Sequence, residues 1–68
     1  MADPGEIWEK IVKADEALKY ATDERRAVRT EQALRLLREA LAQATAAGNS
    51  ALEGQARTRL RDLGADDA

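Results

Sequence analysis

Apolar residues recur early in the chain at Ile7, Ile11, Ala14, Leu18 and Ala21, in alternating steps of four and three. Trp8 and Val12 widen the stripe. Side chains three and four apart share one face of an α-helix, whereas a strand alternates every second residue. The spacing therefore predicts an amphipathic helix over about 4–21. Its start carries a capping signature: Asp3 at the N-cap, Pro4 at the first helical position, and Glu6 three residues after Asp3. Glu6–Lys10 and Glu9–Lys13 are i,i+4 pairs in the favoured order, each worth a few tenths of a kcal/mol.

A second stripe, Leu34, Leu37 and Leu41, is flanked by Ala27, Ala33, Ala40 and Ala44 and predicts a helix over about 24–47. The alanines would let a neighbouring helix approach closely. Gly48 supplies a left-handed stop. Ser50 with Glu53 reads as a second capping box, and Leu52, Ala56, Leu60 and Leu63 give a third helix, about 50–63, its stripe. Gly64 ends it. The join between the first two helices is less marked. Thr22-Asp23 can open a new helix, with Asp23 and Glu24 complementing its dipole, but no glycine or proline stands there. A break near 21–24 is the expectation. The alternative is one helix from Pro4 to Ala47, extending roughly 66 Å at 1.5 Å per residue. The fold class is all-α, an antiparallel three-helix arrangement.

With 68 residues the chain allows one small domain, with 1–3 and 65–68 expected as disordered ends. The apolar fraction is 44%, but half of it is alanine, which leaves few large side chains for a core. There is no cysteine or histidine, so disulfides, thiolate metal sites and the commonest general base are excluded, and no cofactor or metal is expected. Self-association or docking on a partner is the physical supplement to so thin a core. No run of about 18 apolar residues exists to span a bilayer. The start, Met-Ala-Asp-Pro-Gly-Glu, lacks the basic and apolar segments of a secretory signal. With no cysteine either, the cytoplasm is the expected compartment.

Charge is unevenly distributed. Residues 1–24 carry a net −4, residues 25–38 a net +4 from Arg25, Arg26, Arg29, Arg35 and Arg38 against Glu31, and the remainder −2. Catalysis requires a nucleophile, base or metal at a converging spacing. Glu24, Glu31 and Glu39 recur every seven or eight residues but have no histidine to complete a metal motif, so the chain is not expected to be an enzyme. Arg25, Arg29, Arg35 and Arg38 fall away from the leucine face of the second helix. They form either a solvated surface, on which Glu31 pairs with Arg35, or a docking surface for an acidic segment of a partner, including the first helix of a second copy. Nucleic acid is a third reading of residues 25–38, opposed by the overall net charge of −2 and by a lack of aromatic residues for base stacking. Val28 and Leu36 also point away from the main apolar face. Each is either an isolated exposed apolar residue or a contact with a second neighbour. Trp8 is either a core residue or an interface anchor.

From Ala33 onward the chain resembles a tetratricopeptide-type helical repeat. The carrying residues are Ala33, Leu34, Leu37, Ala40, Leu41 and Ala44, then Gly48-Asn49, then Ala56, Leu60, Leu63 and Gly64. They resemble the second helix of one repeat, a turn, and the first helix of the next, over about half the chain. The first helix departs from the pattern, with Ala17, Tyr20 and Ala21 as a loose echo. Such stacks use about three units to bury a continuous core, and at most one and a half are present. The chain is also similar, through Ala33-Leu34, Leu37 and Ala40-Leu41, to three-helix domains that bind short helical tails in membrane trafficking.

Together these readings give a non-enzymatic protein–protein interaction or assembly module, self-associating or docking a helix or tail of a larger protein. Trp8, Ile11, Tyr20, Val28 and Leu36 are the expected apolar contacts, and Arg25, Arg29 and Arg35 the orienting charges.

Overall fold

The Asp3 carboxylate accepts a hydrogen bond from the Glu6 amide at 2.9 Å, and the Asp3 carbonyl accepts one from Ile7. The first helix, α1, thus begins at Pro4, which has no amide N–H of its own, with the Glu6 and Ile7 amides satisfied. The structure, a computed structural model, describes residues 3–65 and holds three helices: α1 (Pro4–Lys19), α2 (Arg26–Ala46) and α3 (Ser50–Asp62). No strand occurs among the described residues. None of the helices is long and apolar enough to cross a membrane.

The chain breaks where a break was expected. Tyr20 caps α1 through its amide to the Glu16 carbonyl, Thr22 is extended at φ −84° and ψ 164°, and a short 3-10 turn, Asp23–Arg25, leads into α2. A straight helix would leave both apolar stripes open to water. Folding back buries Ile7 and Ile11 of α1 with Leu37 of α2. The Thr22 side chain makes no capping bond, so the turn is held by backbone, Arg25 amide to Thr22 carbonyl, and by an Asp23–Arg26 ion pair at 3.6 Å.

The α2–α3 turn is more tightly specified. Gly48 adopts φ +68°, its amide bonds the Thr45 carbonyl, and the Asn49 amide reaches back to the Ala44 carbonyl at 2.9 Å. That pair of bonds is a Schellman motif. Asn49 then turns its side chain to the other helix, accepting from the Leu52 amide at 3.1 Å. One residue closes α2 and opens α3. This corrects the expected Ser50–Glu53 capping box. Ser50 is already helical, and the Glu53 carboxylate instead accepts from the Thr45 hydroxyl at 2.9 Å and faces Arg57. Gly64 (φ +75°) repeats the motif at the end of α3, with the Ala65 amide bonded to the Leu60 carbonyl. Asp3 and Ala65 therefore take part in caps rather than in loose ends. The other residues expected to be disordered, 1–2 and 66–68, lie outside the described residues.

Helix α2 is the central element. It packs along both α1 and α3, which touch one another sparingly. The fully covered residues are Ile7, Ile11 and Ala14 of α1, Ala33, Leu37, Ala40 and Ala44 of α2, and Ala56 of α3, joined by the nearly covered Leu60. The buried seam of α2 is thus mostly alanine, while Leu34 and Leu41, expected at its centre, sit half-buried on its shoulder. Ile11, expected as a partner contact, is a core residue; its place between Ile7 and Ala14 on the stripe turns it inward. The molecule spans 37 × 24 × 14 Å, so the back of α2 has no second layer over it.

Three substitutions test this account by thermal unfolding. A Cβ at Gly48 meets nothing within 4 Å, so Gly48→Ala carries only the left-handed backbone penalty of about 1 kcal/mol. In a domain of this size that lowers Tm by roughly 4–8 °C. Asn49→Ala should cost about 1 kcal/mol through the lost N-cap, with Asn49→Asp retaining stability. Gly54, exposed inside α3 with open space at its Cβ position, should gain about 0.5–1 kcal/mol on Gly54→Ala.

Candidate interaction surface

Helices α1 and α2 run antiparallel, with Lys10 opposite Glu39 and the Tyr20 end of α1 beside Arg29. Beside their buried seam, the flanks of both helices line an open groove of about 530 Å³. Lys13, Glu16, Ala17 and Tyr20 form one wall, and Arg29, Gln32, Arg35 and Leu36 form the other. Steps of three and four on each helix bring these residues to a common face. Small Ala17 and half-buried Leu36 give the groove its apolar floor.

Its ends differ. At one, Lys10 Nζ lies 3.1 Å from Glu39 Oε2 and straps the two helices together. At the other, the Tyr20 ring stands 70% exposed, with Lys19 Nζ 5.5 Å from its centroid. The charge along the walls is mostly positive. Lys13 pairs with Glu9 at 3.4 Å within α1, as its spacing predicted. Arg29 donates to the neutral Gln32 Oε1 at 3.3 Å. Arg35 makes no ion pair or side-chain hydrogen bond among the described residues, so the expected Glu31–Arg35 pair is not formed. Arg35 also borders a second hollow of about 400 Å³ on the back of α2, where Glu31 and Glu39 stand with Arg38 and Leu34. There carboxylates and guanidinium groups are evenly matched.

Four of the expected contact residues, Tyr20, Arg29, Arg35 and Leu36, thus meet in one groove. The others do not join them. Val28 is 55% exposed and outside the groove. Arg25 belongs to the 3-10 turn, and Ile11 is in the core. Lys13, Glu16, Ala17 and Gln32 are not among the contact residues expected from the sequence. The signal for the α1 members was present, since 13, 16, 17 and 20 follow the helical period, displaced around the helix from the apolar stripe.

Trp8 lies on the opposite flank of α1, 43% exposed. The Arg59 guanidinium sits 5.7 Å from its ring centroid, within the range of a cation–π contact. The same guanidinium donates through Nε to both Asp15 oxygens, at 2.9 and 3.0 Å, and through Nη1 to the Gln55 carbonyl and Oε1. Trp8 and Asp15, seven apart on α1, clasp one arginine of α3. Trp8 is therefore neither a covered core residue nor an isolated exposed one. Among the described residues, no group of three or more acidic side chains could hold a metal ion.

The clasp is a polar tie between α1 and α3, and it is partly exposed: Arg59 retains 25% and Asp15 47% of side-chain accessibility. A double-mutant cycle with Arg59→Gln and Asp15→Asn should give a coupling of about 1 kcal/mol or less, shrinking with added salt. Trp8 is the only tryptophan, so its fluorescence should shift to the red in Arg59→Gln as the ring loses its cover.

Compared with protein families, curated proteins and solved structures, the chain matches none.

Proposed function

We propose that this chain is a non-enzymatic protein–protein interaction or assembly module whose working surface is the α1–α2 groove. One observation carries the reading. The fold gathers Tyr20, Leu36, Arg29 and Arg35 from two helices at one open concave site, although 16 residue positions separate the first from the last. An apolar floor supplies contact area, and guanidinium groups on the wall orient what binds. Tyrosine and arginine, along with tryptophan, are enriched among the side chains that anchor interfaces. The α2–α3 hairpin, with its Gly48-Asn49 turn and its Ala56, Leu60 and Gly64, supports reading the C-terminal half as tetratricopeptide-like, a hairpin built for protein contact.

Site-specific photo-cross-linking in cells tests the reading. Tyr20→p-benzoylphenylalanine is isosteric enough to preserve the groove, and Ala42→p-benzoylphenylalanine, exposed on the back of α2, serves as the control. The expected outcome is a discrete nuclease-resistant protein adduct from position 20 that position 42 does not give. Equal cross-linking from both positions would overturn the assignment of the surface. A nuclease-sensitive adduct would favour nucleic acid.

A further inference from the structure

We infer that the α1–α2 groove receives an acidic amphipathic helix from a different protein, held by Arg29 and Arg35 at its two ends with an apolar side chain between them. This rests on the interaction reading above and names the chemistry of the partner.

Charge complementarity carries the inference. The walls hold Lys13, Arg29 and Arg35 against a single carboxylate, Glu16. Lys13 already has a carboxylate neighbour in Glu9. Arg29 meets only a neutral amide, and Arg35 has no ion pair among the described residues. Two guanidinium groups beside apolar surface are suited to carboxylates, which they bind bidentately. Residues 29 and 35 are six apart on α2, about 9 Å along the axis at 1.5 Å per residue. Carboxylates six or seven residues apart on a docked helix span the same length, and the residues midway between them face the groove floor. On each wall the outermost lining residues are seven apart, 13 to 20 and 29 to 36, which is about two turns of helix and matches a helical occupant.

A second copy does not supply this pattern. Glu24 and Glu31 stand seven apart around the exposed Val28, but Glu24 lies in the 3-10 turn, and Arg25, Arg26, Arg29 and Arg35 within and beside the segment make it net positive. On α1 the match is Glu9 with Glu16. Lys13 lies between them on the same face and binds Glu9, and Glu16 already borders the groove. Asp15 is engaged by Arg59, and Glu53 by Arg57 and Thr45. No helix among the described residues offers two available carboxylates flanking an apolar residue without a cation beside them.

The experiment is selection of a displayed library of helix-forming peptides on the full chain, with Tyr20→Ser and Leu36→Ser as counter-targets whose folding is checked by circular dichroism. Tyr20 is far enough exposed that its variant stands in if Leu36→Ser fails to fold. The expected result is enrichment of Asp or Glu at two positions six or seven apart, with leucine, isoleucine or methionine between. The enriched peptide, measured by fluorescence anisotropy, should bind at least tenfold more weakly to the Arg29→Gln/Arg35→Gln double variant, and more weakly at high salt than at low salt. Neutral or basic peptides that bind wild type but not Tyr20→Ser would overturn the acidic partner while leaving the interaction surface standing. No enrichment over Tyr20→Ser would overturn both. Light scattering that shows a dimer of the wild type, lost in Tyr20→Ser, would assign the groove to a second copy and overturn the foreign helix. A single-stranded 20-mer oligonucleotide that displaces the peptide at lower concentration would overturn it in favour of nucleic acid.

Discussion

The alanine seam of α2 is the constraint on which the rest of the structure depends. Ala33, Ala40 and Ala44 are fully covered, and Ala14 and Ala56 meet them from α1 and α3. A methyl group contributes little burial of its own, so the seam stabilises by allowing close approach. Short side chains let the backbones come near, and Ile7, Ile11, Leu37 and Leu60 then fill the remaining space. Had large residues occupied the seam, the helices would stand further apart and the same four side chains would leave voids.

The close seam has a consequence at the flanks. Leucines excluded from the centre, at 34, 36 and 41, lie on the shoulders of α2 and are only half-buried. Two helices pressed together along alanines also diverge above and below the contact line, because their cylinders curve away from one another. The α1–α2 groove is that divergence, floored by Ala17 and Leu36. Core and groove therefore arise from one packing choice, and a slab only 14 Å thick in its short dimension has no third layer with which to close it.

What the sequence revealed, and what it concealed, follows the same division between local and long-range physics. The Asp3 cap, the Glu9–Lys13 pair and both glycine stops depend on residues within a few positions of each other, and all were legible; the break after α1, which the Thr22 side chain does not cap, depends on α2 folding back over α1. The Ser50–Glu53 box shows the limit of local reading. Asn49 and Ser50 are both good caps, and only the Schellman geometry at Gly48 places Asn49 at the boundary. Ile11 and Trp8 share a stripe in the sequence, but their fates depend on where α3 passes: Ile11 is enclosed, and Trp8 is covered on one side by Arg59. Cross-helix pairs such as Lys10–Glu39 and Asp15–Arg59 join residues 29 and 44 positions apart, and no periodicity in the chain specifies them. Of the groove, Tyr20 and Leu36 are expected apolar contacts and Arg29 and Arg35 expected orienting charges. Their convergence depends on the register of α1 against α2.

Electrostatics then completes what packing begins. The chain as a whole carries a formal net charge of −2, yet its groove is cationic, and this contrast has a traceable origin. Two of the four carboxylates of α1 are drawn to other partners: Glu9 to Lys13 along the helix, and Asp15 across to Arg59. Glu39 of α2 turns to Lys10, and Asp23 is held in the 3-10 turn by Arg26. Each pair is exposed and individually worth at most about 1 kcal/mol. Their collective effect is on placement: they engage acidic groups away from Arg29 and Arg35 and leave those two with no carboxylate partner at the surface. An exposed guanidinium keeps its hydration until a ligand displaces it, so leaving it unpaired costs the fold little. The local field along the groove is then set by its wall residues, because charges elsewhere on the surface are screened over about 8–10 Å at physiological salt. A chain with a net negative charge can in this way present a positive groove.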